Sequence, residues 1–137
     1  MALLRRRVKP RFMSEGTGFR ELVGTELAST GEGRAVVEVH AEERHLNPGG
    51  TVHGGVVYTL VDVSMAEALR TTIAEGDERP VTIEIKVNYL EPSKAGTLTS
   101  TAQVRKGGKR VTIVEAEVAQ DSEVVALATG TYTIVGG

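Results

Sequence analysis

The sequence predicts an α+β fold, an antiparallel β-sheet wrapped around one long central helix. The first of three observations behind this is the run from Gly54 to about Ala74. There Val56, Val57, Tyr58, Leu60, Val61, Val63, Met65, Ala66, Ala68 and Leu69 cover nearly the whole circumference of a helix. A helix that is apolar all round is expected to be buried all round. The second is the change of period after Pro80, where Val81, Ile83, Ile85, Val87 and Tyr89 alternate with Thr82, Glu84, Lys86 and Asn88. The third is the regular recurrence of turn signals beyond that point, at Pro92 to Gly96, Gly107-Gly108 and Asp121-Ser122.

Taken in order, Met1 to Phe12 carries Arg5, Arg6, Arg7, Lys9 and Arg11 and reads as the core of a solvated basic tail over 1–18. A single domain is expected over 19–137. Phe19 to Ser29 fits either a helix or a strand. Gly33 to Ala41 alternates and reads as a strand. Glu42 to Val52 is a loop holding the Asn47-Pro48-Gly49-Gly50 turn signal, and the central helix follows, stopped by Glu75-Gly76-Asp77. Four strands close the chain: the one after Pro80, Leu98 to Arg105, Val111 to Gln120 and Val124 to Val135, expected as a meander. Such a sheet cannot cover every side of so apolar a helix. A second copy would supply the missing wall, helix against helix and sheet edge against sheet edge, so at least a homodimer is expected, with a homotetramer as a dimer of such dimers.

Composition narrows the function. Sixteen basic and 18 acidic residues leave a net charge of −2, and there are only two Phe, three Tyr and no Trp. No nucleic acid partner is expected, since phosphate neutralisation needs clustered positive charge and base stacking needs aromatic platforms. The absence of cysteine excludes disulfides, thiolate metal sites and a cysteine nucleophile. His40 and His45 lack a third partner at metal-ligand spacing, so no metal and no cofactor is called for. There is no Gly-x-Ser-x-Gly elbow for a serine hydrolase. No uninterrupted apolar run reaches the roughly 18 residues of a membrane span, and the N-terminus lacks the apolar core of a secretory signal, which points to the cytoplasm.

Chemistry concentrates between Asn47 and Asp62. Asp62 sits between Val61 and Val63 in the apolar helix, and carboxylates are almost never buried without a partner. Buried alone, it would cost several kcal/mol or shift toward the protonation behaviour of a general base. The bland alternative is a carboxylate facing a solvated notch. Upstream, His53-Gly54-Gly55 opens the helix. Without Cβ atoms, the two glycines let a ligand approach backbone N–H groups that lack intrahelical partners and lie at the positive end of the helix dipole. Aimed at a carbonyl oxygen, such groups form an oxyanion hole.

Asn47, then Val52-His53-Gly54-Gly55, then Leu60-Val61-Asp62, then Val87-Asn88-Tyr89-Leu90-Glu91-Pro92 resembles the PaaI-type (phenylacetate-pathway) branch of the hotdog-fold acyl-CoA thioesterases. The resemblance implies a hotdog fold and hydrolysis of an acyl-CoA thioester to a free acid and coenzyme A. By position, it implies that the Gly54 N–H polarises the carbonyl with Asn47 assisting. It gives His53 a role in supporting the leaving sulfur or orienting the loop, and Asp62 that of activating water or attacking as a nucleophile. Thr82 falls where relatives hold the water, and Gly55 and Tyr89 fall near the substrate. It also implies that Arg105 to Arg110, with Lys106, Gly107, Gly108, Lys109 and Arg110 at its tip, contacts coenzyme A, whose phosphates suit a basic turn.

Spacing adds a separate point. His53 and Asp62 are nine positions apart, roughly 13 Å and on opposite faces of a helix. One chain therefore cannot bring both to a single carbonyl, whereas two antiparallel helices at a dimer interface can. Two rival readings remain: a hotdog acyl-thioester hydratase or dehydratase, and a non-catalytic acyl-CoA-binding domain. Val56, Met65 and Leu69 are expected to wall the acyl pocket.

Overall fold

Small inward residues decide how closely the helix can approach the sheet. In the computed structural model, which describes residues 18–74, 76 and 78–136, six antiparallel strands curl over one face of a single long helix. A short helix α1 (Phe19–Val23) precedes β1 (Thr25–Gly31) and β2 (Arg34–Ala41). The central helix α2 (Gly54–Arg70) follows, then β3 (Arg79–Tyr89), β4 (Gly96–Gly107), β5 (Thr112–Gln120) and β6 (Glu123–Val135). Beneath α2 the strands present Ala35, Ala102, Ala116, Ala126, Ala128 and Gly130, all buried. At Gly130 an added Cβ would lie 2.6 Å from Met65 Sδ and 2.9 Å from a ring carbon of Tyr132. Only glycine allows this approach.

The strand order is β1-β2-β4-β5-β6-β3. This corrects the expected four-strand meander: β4, β5 and β6 are consecutive neighbours, but β3 lies at the far edge beside β6, so the chain crosses the sheet between β3 and β4. Adjacent position in sequence does not dictate adjacent pairing when a loop of moderate length is available. The stretch Phe19 to Ser29, ambiguous in sequence, divides into α1 and the start of β1 at Gly24, whose φ of 87° ends the helix in the left-handed region. The basic tail lies outside the described residues except for Gly18.

The helix stops at Arg70, short of Ala74. The hydroxyls of Thr71 and Thr72 donate to the carbonyls of Ala68 and Leu69, each at 2.7 Å, satisfying groups that another helical turn would have used. In a single chain α2 is not buried all round. Val57, Leu60, Val61, Ser64, Met65, Ala68 and Leu69 pack on the sheet, while Gly55, Tyr58, Thr59, Asp62, Val63 and Ala66 form a face that the sheet leaves partly or fully uncovered. Ser64 is accommodated in the core by a 2.8 Å hydrogen bond with Ser100 of β4. Among the described residues no helix is long and apolar enough to cross a membrane.

Candidate active site

Asp62 lies on the uncovered face of α2, half-buried rather than enclosed. Nor is it unpartnered, which corrects the expectation of a buried, unpaired carboxylate. The Thr82 hydroxyl donates to its Oδ1 at 2.8 Å, and the Tyr132 phenol donates to the same oxygen at 2.6 Å. Oδ2 has no partner among the described residues.

The alternation after Pro80 would place Thr82 on the outer face with Glu84 and Lys86. A bulge between Thr82 and Glu84 in the β3–β6 ladder changes the phase. After the bulge Ile85 and Tyr89 point toward the helix, and before it Thr82 does. Ile83 occupies the irregular position and is 56% exposed. Bulges re-aim side chains in this way. Across the ladder Thr82 pairs with Tyr132, so the two hydroxyls converge on one carboxylate oxygen from neighbouring strands.

Tyr132 escaped the sequence reading. It is fully buried, and burial first, then the charge of Asp62 and the hydrogen bond to it, push its phenol far above the ordinary tyrosine value. It therefore stays protonated and donates. The signal in the sequence was a lone tyrosine two residues after Gly130, at inward parity: a glycine in a strand marks a close approach, and here the tyrosine ring lies over it.

The entry to α2 is built differently. His53 is the N-cap, and its Nδ1 accepts from the Gly55 N–H at 2.8 Å. The carbonyl of Gly54 accepts from the Tyr89 phenol, also at 2.8 Å. The 54–55 peptide is thus clamped at both ends, while the N–H of Gly54 has no partner among the described residues. Burial, with Tyr58 nearby, raises the Tyr89 phenol, so it too remains a donor. An added Cβ on Gly55 would meet His53 Nδ1 at 3.0 Å, and one on Gly54 would touch the Tyr89 ring at 3.4 Å. The contact at Gly55 is tight, whereas the one at Gly54 is close to ordinary van der Waals distance.

Asn47 closes its own loop. Its Oδ1 accepts from the N–H groups of Gly49 (3.0 Å) and Thr51 (3.2 Å), and its Nδ2 donates to Thr51 Oγ1 at 2.8 Å. The loop is tied down by Val52 N–H on Ser93 O and His53 N–H on His45 O, each 2.8 Å. His45 is itself buried, accepting from Glu42 N–H and bonded to Val23 O at 2.6 Å, which anchors α1 to the loop.

These residues line two clefts. One, of about 510 Å³, is bordered by Asp62, Thr82, Tyr58, Val63 and Phe19, with Arg20, Arg70 and Arg79 toward one end. Buried Glu67 meets Arg20 there at 2.9 Å and Arg70 at 3.8 Å. The other, of about 260 Å³, is bordered by Gly54, Val52, Tyr89, Pro92 and Val125. Gly54 and Asp62 of one chain therefore face separate clefts. Of the residues expected as acyl-pocket walls, Met65 and Leu69 belong to the core and Val56 borders neither cleft; Tyr58, Val63 and Ala66 line the larger one. The basic hairpin borders neither cleft of its own chain. Arg105 pairs with Glu115 at 3.0 Å, and Lys106, Gly107, Gly108, Lys109 and Arg110 are exposed.

A family profile described as "Thioesterase superfamily" matches residues 49–127. The acyl-coenzyme A thioesterase PaaI of Escherichia coli is 33% identical over 127 residues, 91% of this chain and 88% of that protein. Human acyl-coenzyme A thioesterase 13 is 31% identical over 123 residues, 88% of this chain and 86% of that one. The solved structure of a conserved protein from Pseudomonas aeruginosa superposes with a TM-score of 0.81 at 36% identity, covering 87% of this chain and 94% of the other.

Proposed function

We propose that this chain, which belongs to the thioesterase superfamily and is a hotdog-fold acyl-CoA thioesterase of the PaaI type, hydrolyses its substrate at a site shared between two copies. The observation that carries the catalytic assignment is Asp62. It is a half-exposed carboxylate on the uncovered face of α2, with one oxygen held by two hydroxyls and the other open to the cleft.

The Gly54 N–H, at the positive end of α2, receives the charge that develops on the thioester oxygen. Asp62 takes a proton from water as the water oxygen attacks the carbonyl carbon. The carbon–sulfur bond then breaks, and the leaving thiolate takes the proton back. In the nucleophilic variant Asp62 attacks directly, releases coenzyme A thiolate and leaves a mixed anhydride that water cleaves. His53 orients the helix entry through its bond to Gly55, and Asn47 holds the preceding loop with one amide hydrogen left for the substrate.

The uncovered face of α2 and the exposed edge strand β3 support a homodimer, and pairing of two such dimers gives the tetramer. In this assembly Gly54 of one copy meets Asp62 of the other. The hairpin charges of Lys106, Lys109 and Arg110 serve the phosphates of coenzyme A. The test is thiol release from aromatic, medium-chain and long-chain acyl-CoAs. Release from at least one, abolished by Asp62→Ala with binding intact, is the expected result. No thiol from any substrate, or an enoyl product instead, overturns it.

A further inference from the structure

We propose that Tyr132 is a positioning residue which, together with Thr82, occupies Oδ1 of Asp62 and thereby selects Oδ2 as the oxygen that reacts. This rests on the assignment of Asp62 as the catalytic carboxylate.

A carboxylate on a two-bond side chain can rotate and present either oxygen. Here both donors reach the same one: Thr82 Oγ1 at 2.8 Å and Tyr132 Oη at 2.6 Å, with the phenol also 3.3 Å from the Asp62 backbone carbonyl. The donors differ in character. Thr82 sits on the edge strand β3 and is exposed, whereas Tyr132 is fully buried between α2 and the sheet, its ring over Gly130. Tyr132 is thus the rigid member of the pair. A phenol with no freedom to turn fixes the plane of the carboxylate, and Thr82, bound to the same oxygen from the solvent side, completes the grip. Turning Oδ1 toward the substrate would break both bonds and leave the buried phenol only its longer, 3.3 Å bond to the Asp62 backbone carbonyl. Preorganisation of this kind removes a rotational search from the chemical step.

The consequence concerns turnover rather than substrate binding, since Tyr132 borders neither cleft. Tyr132→Phe removes one oxygen and keeps the ring, so the core stays filled. With an acyl-CoA that the wild-type chain hydrolyses, kcat is expected to fall about 10- to 100-fold with KM within about twofold of wild type. Thr82→Val is expected to act in the same direction, and Thr82→Ser, which keeps the hydroxyl, to recover most of that loss. Because both groups act through one oxygen, Tyr132→Phe/Thr82→Val should lose less than the product of the two single losses.

Asp62→Asn runs alongside. Full activity in Asp62→Asn defeats the catalytic assignment itself. An inactive Asp62→Asn beside a Tyr132→Phe enzyme of wild-type kcat overturns the present inference alone, as does a loss in Tyr132→Phe that appears in KM instead of kcat. If Tyr132→Phe does not fold, the valine-to-serine recovery at Thr82 decides: no recovery overturns the inference.

Discussion

The phenol of Tyr89 donates to the carbonyl oxygen of Gly54 at 2.8 Å, across the first turn of α2. With His53 on the other end of the same peptide, it fixes the helix entry from which the Gly54 N–H projects. Tyr89 is 52% exposed, so its bond contributes little to global stability. Tyr89→Phe should leave the thermal midpoint nearly unchanged while lowering kcat/KM about three- to tenfold, as expected for roughly 1 kcal/mol lost at the site. Thiol-release kinetics beside a thermal melt check both parts.

Gly130 gives the second prediction. A Cβ there would lie 2.6 Å from Met65 Sδ and 2.9 Å from the Tyr132 ring. Met65 can flex, but the ring is confined in the core. Gly130→Ala should therefore destabilise the fold by about 1–3 kcal/mol, measured by chemical denaturation. It should also lower kcat, because the ring must shift and carry its hydroxyl away from Asp62.

Tyr132 also makes stability depend on alkaline pH. Its phenol is raised by burial first and then by Asp62, so the folded state binds this proton more tightly than the unfolded chain does. The stabilisation is fully present below the ordinary tyrosine value of about 10 and is lost as pH rises above it toward the folded value. Denaturation midpoints should fall above about pH 10, and the fall should be shallower in Tyr132→Phe. Phenolate absorbance should show Tyr132 ionising only as the protein unfolds.

Much of this was legible in the sequence because it follows from periodicity and local chemistry. The helix beginning at Gly54, the alternating strand β2 and the turn at Asp121-Ser122, both residues at positive φ, are local decisions. The position of β3 beyond β6 was not legible, since it depends on which strands pair over long distances. The bulge at Ile83 was hidden by an alternation that continues through it. Asp62 stood out as a charge among apolar residues, whereas Tyr132 looked like one more strand aromatic. Its role follows from pairing with Thr82 across the ladder, a tertiary relationship. Glu67 is the complementary case: a carboxylate on the same helix, more deeply buried than Asp62, yet neutralised by Arg20 and Arg70.

The central claim is that Gly54 and Asp62 act from different copies, and subunit mixing tests it most directly. Gly54→Pro removes the N–H at a helix position where proline is tolerated, and Asp62→Asn removes the carboxylate charge. Each variant alone should be inactive. Unfolded together in equal amounts and refolded, half of the dimers should be mixed, each with one intact site, restoring about one quarter of wild-type activity. A mixture as inactive as its parents, with mixed dimers shown to have formed, would place both residues in one chain's site and contradict the account.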